Sequence, residues 1–352
     1  QNLIRHSEIS QLLDDEFGLG FAGNVADVIF HDMPANLYGS VVSSQFDADR
    51  LDYMQRDRLM TGVQSSGVDP TWLLANLEVG EVSTGSDEDK TGVVETLVLG
   101  PKAVQAAESY VLALFHLYPN VYLHKTTRGI EVLFQALMRR IVHLERAGHS
   151  GQIGLPRRHP LIRFVEDPSD LDRALALDDS VFWGALAMLF EADDEIVRRL
   201  SSCLRDRHLA CCFDLRQMIE SELASGPMEP RPQRQARIKL ICDATVRELN
   251  AIGKGSEQRE KSGELHDLPR FLVDQYARHP YKRFQDSKSP LNQILIRIGA
   301  DSPRDMGELS PIIANAEPFN VCRAYAFRDD VDAKAVVEDI VRTKVRENQN
   351  VQ

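Results

Sequence analysis

The chain of 352 residues carries 41 Lys and Arg against 53 Asp and Glu, a formal charge of −12, with 43% hydrophobic and 27% charged residues. That balance excludes disordered, collagenous and coiled-coil chains and leaves apolar material for one large core or two ordinary ones. The longest apolar stretches, such as 111–115 and 181–190, fall short of the ~20 residues a membrane span needs, and no basic-then-apolar leader opens the sequence. Surplus negative charge repels a nucleic-acid backbone unless basic residues are concentrated locally. Nucleic acid is therefore not an expected partner, and an anionic ligand such as a nucleotide must meet a small basic pocket. Cys203, Cys211, Cys212, Cys242 and Cys322 form no CxxC pair and are odd in number, which points to a reducing, cytoplasmic setting rather than a disulfide framework.

The chain runs from Gln1 at once into a helical pattern (Leu3, Ile4, Ile9, Leu12, Leu13, Phe17), as expected of one that begins inside a domain. Residues 1–75 read as helices with little strand, including one over 47–60 with Leu51, Met54 and Leu59 as packing positions. Val79 and Val82, then the acidic Gly-rich stretch 83–92, then Val93, Val94, Leu97 and Val98 read as a β-hairpin. Helical periodicity returns over 102–147 and 180–207, with Pro156, Pro160 and Pro168 between the blocks and Asp178-Asp179 and Asp193-Asp194-Glu195 placed as helix starts. The adjacent Cys211 and Cys212 are too close to ligate one zinc and are expected inside a helix. Residues 226–232 break the pattern, and 253–263 read as a polar surface loop. Short strands are expected at 295–298 and 321–327, and a helix over 330–346 with the stripe Val331, Ala335, Val336, Ile340 and Val341. The fold class is mainly α: a helical bundle (1–147) with a β-hairpin insertion, a helical extension (148–225) and a small α+β C-terminal module (226–352).

The densest chemistry lies at 47–57, where four Asp, two Arg and one Tyr are crowded together. On a helix Asp49, Tyr53 and Asp57 follow at i, i+4 and i+8 and share one face, which could hold a cation and hydrogen-bond a sugar. The same pattern fits a solvated, salt-bridged helix, and spacing alone leaves both open. Positions two apart on a helix point about 200° apart. Asp49 therefore joins Tyr53 and Asp57, while Asp47, ahead of the apolar-periodic run, is expected to cap the helix.

The run Phe46-Asp-Ala-Asp-Arg-Leu-Asp-Tyr-Met-Gln-Arg-Asp57, followed by Thr61-Gly62, resembles the last signature of HD-superfamily metal-dependent phosphohydrolases, in particular the deoxynucleoside triphosphate triphosphohydrolase branch. Val121-Tyr-Leu-His-Lys125, preceded by Phe115 and Tyr118 and followed by Arg128, resembles the "VYxHK" segment of that branch. Arg5-His6-Ser7-Glu8-Ile9-Ser10 is similar to its "HExxS" segment, with Ser7 where Glu is usual. The resemblance covers roughly residues 1–145.

It implies an HD-domain bundle and a divalent metal ion (Mn, Mg, Fe, Ni, Co or Zn) held by an early His, a His-Asp pair and a final Asp. The final Asp maps onto Asp49. The other ligands are expected upstream of His6, so residues 1–147 read as the C-terminal part of the domain, catalytically incomplete on their own. His31-Asp32 stands in the wrong order and reads as a surface or helix-terminal pair. The implied roles are His6 as proton donor to the leaving group, against a packed or capping histidine; Arg50 on phosphate; and Tyr53 and Asp57 at the sugar. Tyr122 falls at sugar or base, and Lys125 at phosphate or in a structural ion pair. Leu114 stands where the family has a phosphate-binding Arg. The implied activity is hydrolysis of deoxynucleoside triphosphates to deoxynucleoside and triphosphate by a homo-oligomer. The alternatives are another HD-type nucleotide phosphohydrolase, or a non-catalytic nucleotide-binding regulatory module.

Overall fold

The computed structural model describes residues 1–31, 33–83, 92–224, 229–252, 267–283, 289–299 and 302–349. The fold is mainly α, with helices from Asn2–Arg5 through Ala333–Gln349 and, among the described residues, seven short strands. The strands are β1 (Leu77–Ser83), β2 (Val93–Leu99), β3 (Cys211–Asp214), β4 (Phe271–Arg278), β5 (Leu295–Ile296), β6 (Arg304–Asp305) and β7 (Phe319–Ala326). No helix among the described residues is long and apolar enough to cross a membrane. The chain forms two compact units, one of Gln1–Tyr122 with Arg278–Phe319, the other of Leu123–Ala277 with Asn320–Gln352.

In the first unit the hairpin expected from the two valine-rich runs is present: β1 and β2 pair antiparallel from Leu77 opposite Leu99 to Ser83 opposite Val93. Residues 84–91 of its acidic turn lie outside the described residues. β5 extends the sheet, parallel to β2, and β6 follows antiparallel, giving the order β1-β2-β5-β6. Val82, Val98 and Leu295 bury their side chains together against it. The helix Val104–Leu117 is apolar on most sides and buries Ala107, Tyr110, Val111, Ala113, Leu114 and Leu117. The returning segment is tied to the approach to the candidate site. Gln45 Nε2 donates to the carbonyls of Lys282 at 2.6 Å and Asn292 at 3.0 Å, and Ser40 Oγ donates to that of Leu291 at 2.9 Å. These bonds satisfy polar groups that would otherwise be costly to bury, and they fix the backbone two residues before Asp47.

In the second unit the helix Lys125–Arg146 buries Gly129, Val132, Leu133, Ala136, Leu137, Ile141 and Leu144, the i, i+3, i+4 stripe of an amphipathic helix. The helix Arg231–Ala251 does the same with Ile238, Ile241, Cys242, Thr245, Val246 and Leu249. A three-stranded sheet in the order β3-β7-β4 carries the second core, with Cys322, Ala324 and Ala326 packed among Leu215, Ile241 and Val337. Asp178 and Asp194 cap helices, accepting from the N–H groups of Val181 and Val197, as the acidic doublets predict.

The structure corrects several sequence expectations. Cys211 and Cys212 are in β3, paired antiparallel with β7, and not in a helix. The preceding helix ends at Arg205, Arg207 with its φ of 55° turns the chain out of helical geometry, and Asp214 caps the next helix, so the intervening apolar run is too short to be one. The expected helix over 102–147 is interrupted by a π-type turn, Tyr118–Tyr122. Pro119 within it has no N–H to continue the ladder, and His124 caps a fresh helix by accepting from Thr126 N at 3.3 Å. The block 180–207 is likewise two helices, Asp179–Leu189 and Glu195–Arg205. β4 was not legible in the sequence. The loop expected at 253–263, and Asp32 of the His31-Asp32 pair, lie outside the described residues.

Candidate active site

Asp47 is buried and caps the helix Ala48–Thr61, its Oδ1 accepting from Arg50 N at 2.8 Å and its Oδ2 standing 3.4 Å from Arg50 Nε. Burial pushes its carboxyl above the usual range, against the pull of Arg50's N–H and charge. Gly62, with φ of 74°, ends the helix in the left-handed cap that glycine adopts without strain. Asp49 lies exposed in the first turn. On an outer face Arg56 and Asp52 pair at 2.6 Å, both well exposed. Another face carries Met54, buried, and Tyr53 and Asp57, half-buried. The helix thus bears a solvated salt-bridged side and a packed polar side at once.

The packed side meets the second motif. Tyr122 Oη donates to Asp57 Oδ2 at 2.6 Å, and the rings of Tyr53 and Tyr122 meet edge to face at 6.1 Å between centroids. Tyr118 is edge-on to Tyr122 at 5.4 Å. The π-type turn brings Tyr118 and Tyr122 to one side, where Tyr118 is almost fully covered. Burial raises the phenol of Tyr53 to about 12, with Arg50 opposing. The phenol of Tyr122 is held well above its ordinary value by burial and by the hydrogen bond and charge of Asp57. Both phenols are therefore neutral hydrogen-bonding groups at physiological pH. Arg50, half-buried beside Tyr53, supplies a cation suited to bidentate contact with phosphate oxygens.

Tyr53, Asp57 and Tyr122 are brought together, with Arg50 beside them. His6 is not among them: it is exposed at the end of the short helix Asn2–Arg5, where its N–H donates to Asn2 O at 2.9 Å. Ser7, which departs from the family pattern, has a structural task, capping the helix Glu8–Phe17 by accepting from Ile9 N at 3.1 Å. Lys125 belongs to the second unit, exposed at the start of the helix Lys125–Arg146, where its carbonyl accepts from Tyr325 Oη at 3.0 Å. Leu114 is a fully buried core residue. Two further residues join the cluster: Tyr118, whose i, i+4 spacing to Tyr122 is legible in the sequence, and Arg278, which donates to Tyr118 Oη at 3.1 Å and has no signal in local sequence.

Among the described residues no three His, Cys, Asp or Glu side chains are grouped to hold a metal ion. Hard divalent ions need several oxygen or imidazole donors, and Asp49 is a single exposed carboxylate, so the described residues do not fit a complete metal site.

Residues 89–152 match the sequence family described as "HD associated region", a segment that includes Tyr118, Tyr122 and Lys125. The chain is 29% identical over 147 residues to the uncharacterized protein YwfO of Bacillus subtilis, covering 42% of this chain and 31% of that protein. It is 36% identical over 100 residues to the uncharacterized protein MJ1154 of Methanocaldococcus jannaschii, covering 28% of this chain and 20% of that one. The chain therefore spans about a third or less of the length of these relatives. Among solved structures, a phosphohydrolase from Bacteroides thetaiotaomicron matches with a TM-score of 0.57 and 20% identity, over 91% of this chain and 71% of that one. A hypothetical protein from Aquifex aeolicus matches with a TM-score of 0.53 and 16% identity, over 98% and 70%. At these identities the likeness is one of fold: the chain shares the mainly α architecture of the Bacteroides phosphohydrolase.

Proposed function

We propose that the chain is the nucleotide-recognising part of an HD-type phosphohydrolase acting on deoxynucleoside triphosphates, releasing deoxynucleoside and inorganic triphosphate. The observation that carries this reading is the Tyr122–Asp57 hydrogen bond, which unites in space the two motifs that resemble the family. In this reading the Tyr53 ring faces C2′ of the sugar and leaves no room for a hydroxyl there. Asp57 has acceptor capacity beyond its bond to Tyr122 and takes the 3′-OH. Arg50 meets the phosphates as a planar cation. Asp49 is the one metal-ligand position of the family pattern that the chain carries, and no step is assigned to it alone.

Incubating the full-length natural protein with a panel of deoxynucleoside triphosphates and manganese, then separating the products, tests the reading. Deoxynucleoside and inorganic triphosphate are expected. Orthophosphate or a monophosphate as the sole phosphorus product would make it another nucleotide phosphohydrolase, and tight nucleotide binding without turnover would make it a regulatory module. We also expect a homo-oligomer in a cytoplasmic setting; light scattering that reports a strict monomer at micromolar concentration would count against it.

A further inference from the structure

Arg278 opens the segment that returns to the first unit. Its Nε–H donates to Tyr118 Oη at 3.1 Å, and its guanidinium carbon lies 5.7 Å from the centre of that ring. Tyr118 is wedged on its other sides by Phe319, at 5.8 Å between centroids, and by Tyr122, at 5.4 Å and 70°. Tyr122 in turn lies edge-on to Tyr53 and donates to Asp57. Three separate stretches of sequence thus form one line of contact, Arg278 to Tyr118 to Tyr122 to Asp57, in which each member restricts the next.

We infer that Arg278 is a positioning residue of the candidate site, holding this line in the register that separates deoxyribose from ribose. The inference rests on the sugar reading of Tyr53 and Asp57 given above. Discrimination against one extra hydroxyl by exclusion requires the walls of the pocket to stay fixed to about half an ångström, and an aromatic ring held only by edge contacts can tilt. The polar end of Tyr118 is its handle. A guanidinium, planar and rigid, fixes the direction of its N–H, which an ammonium on a flexible stem does not, so charge alone does not replace it.

The test uses the full-length protein and its Arg278→Lys, Arg278→Gln, Tyr118→Phe and Arg278→Gln/Tyr118→Phe variants. Calorimetry with dATP and ATP is expected to show dATP binding weakened about tenfold in each variant with ATP binding little changed. The double variant should be no worse than either single one, because both changes break the same line. In parallel, NMR of 13C-tyrosine-labelled protein is expected to show the Tyr118 and Tyr122 ring signals moving together in Arg278→Lys while exposed Tyr38 stays fixed. An unmoved Tyr122 signal, or additive losses in the double variant, would overturn the inference. A wild-type protein that binds dATP and ATP equally while the ring signals still move together would overturn the sugar reading, and the claim on specificity with it, yet leave Arg278 positioning Tyr122.

Discussion

The Tyr122 hydroxyl donates to Asp57 Oδ2 at 2.6 Å across 65 residues of sequence, and this bond ties the turn after the helix Val104–Leu117 to the helix Ala48–Thr61. Tyr122→Phe keeps the ring contacts with Tyr53 and Tyr118 and removes only the donor. A hydrogen bond to a charged acceptor contributes about 1.5–3 kcal/mol, and partial exposure lowers that here to roughly 1 kcal/mol. Denaturant titration should register that loss, and dATP affinity should fall with it. An unchanged midpoint together with unchanged affinity would mean the bond does not form in solution.

Asp47 and Asp49 separate by task. Asp47→Ala removes a cap and should lower stability by about 1 kcal/mol, whereas Asp49→Ala changes an exposed first-turn residue and should stay within about 0.5 kcal/mol. Turnover by the full-length protein is expected to fail with Asp49→Ala and to survive Asp47→Ala below its lowered melting temperature. The reverse pattern would put the helix register in error.

Arg140 and Asp194 form a pair with little exposure, at 2.5 Å between Nη2 and Oδ2, and Asp194 also caps its helix through Val197 N at 2.9 Å. Burial pushes the Asp194 carboxyl up, but the hydrogen bonds and charge of Arg140 and the helix N–H groups outweigh it and hold the value below the ordinary range. A carboxyl depressed on folding contributes stability above its unfolded value of about 3.9, and that contribution is lost as pH falls through the folded value. Asp194→Asn should therefore cost most near neutral pH, with its gap to the wild type closing below about pH 4. A gap independent of pH would show that the charge is not what matters.

Gly154 adopts φ of 83°, and a Cβ there would stand 2.7 Å from the Met188 carbonyl oxygen and 3.1 Å from Ala192 Cα. Neither is a flexible side-chain end, so Gly154→Ala combines left-handed strain with a backbone clash and should cost at least about 2 kcal/mol. Gly148, with φ of 76° and no neighbour within 4 Å of such a Cβ, is the control: its Ala variant should cost only about 1 kcal/mol. Equal losses by thermal unfolding would remove the steric part of the explanation.

Elements with strong local signals were legible in the sequence. The helix at 47–60 became Ala48–Thr61, although Leu59 points to solvent, and the valine-rich runs became β1 and β2; of the expected C-terminal stripe Ile340 and Val341 are buried in Ala333–Gln349, whereas Val331 lies ahead of that helix and Ala335 is exposed. Tyr53, Asp57 and Tyr122 were legible because helical spacing and two motifs marked them, and the structure puts them in contact. What escaped was decided by partners far along the chain. The Cys211–Asp214 run is a strand because β7, more than a hundred residues later, offers it a ladder; periodicity over four residues carries no such information. Arg278 reaches Tyr118 from 160 residues away, a pairing that only tertiary structure selects.

The pairing of Val98 with Leu295 and Leu99 with Ile296 gives the first unit an order of assembly during translation. At about 5–20 residues per second, on the order of ten seconds or more separates the emergence of β2 from that of β5. Through that interval the β2 side of the hairpin lacks its parallel neighbour, and an open strand edge invites pairing with other chains. The nascent protein is thus most exposed to misassembly while residues 100–294 are being made, and a holdase acting then would protect it more than one acting after release.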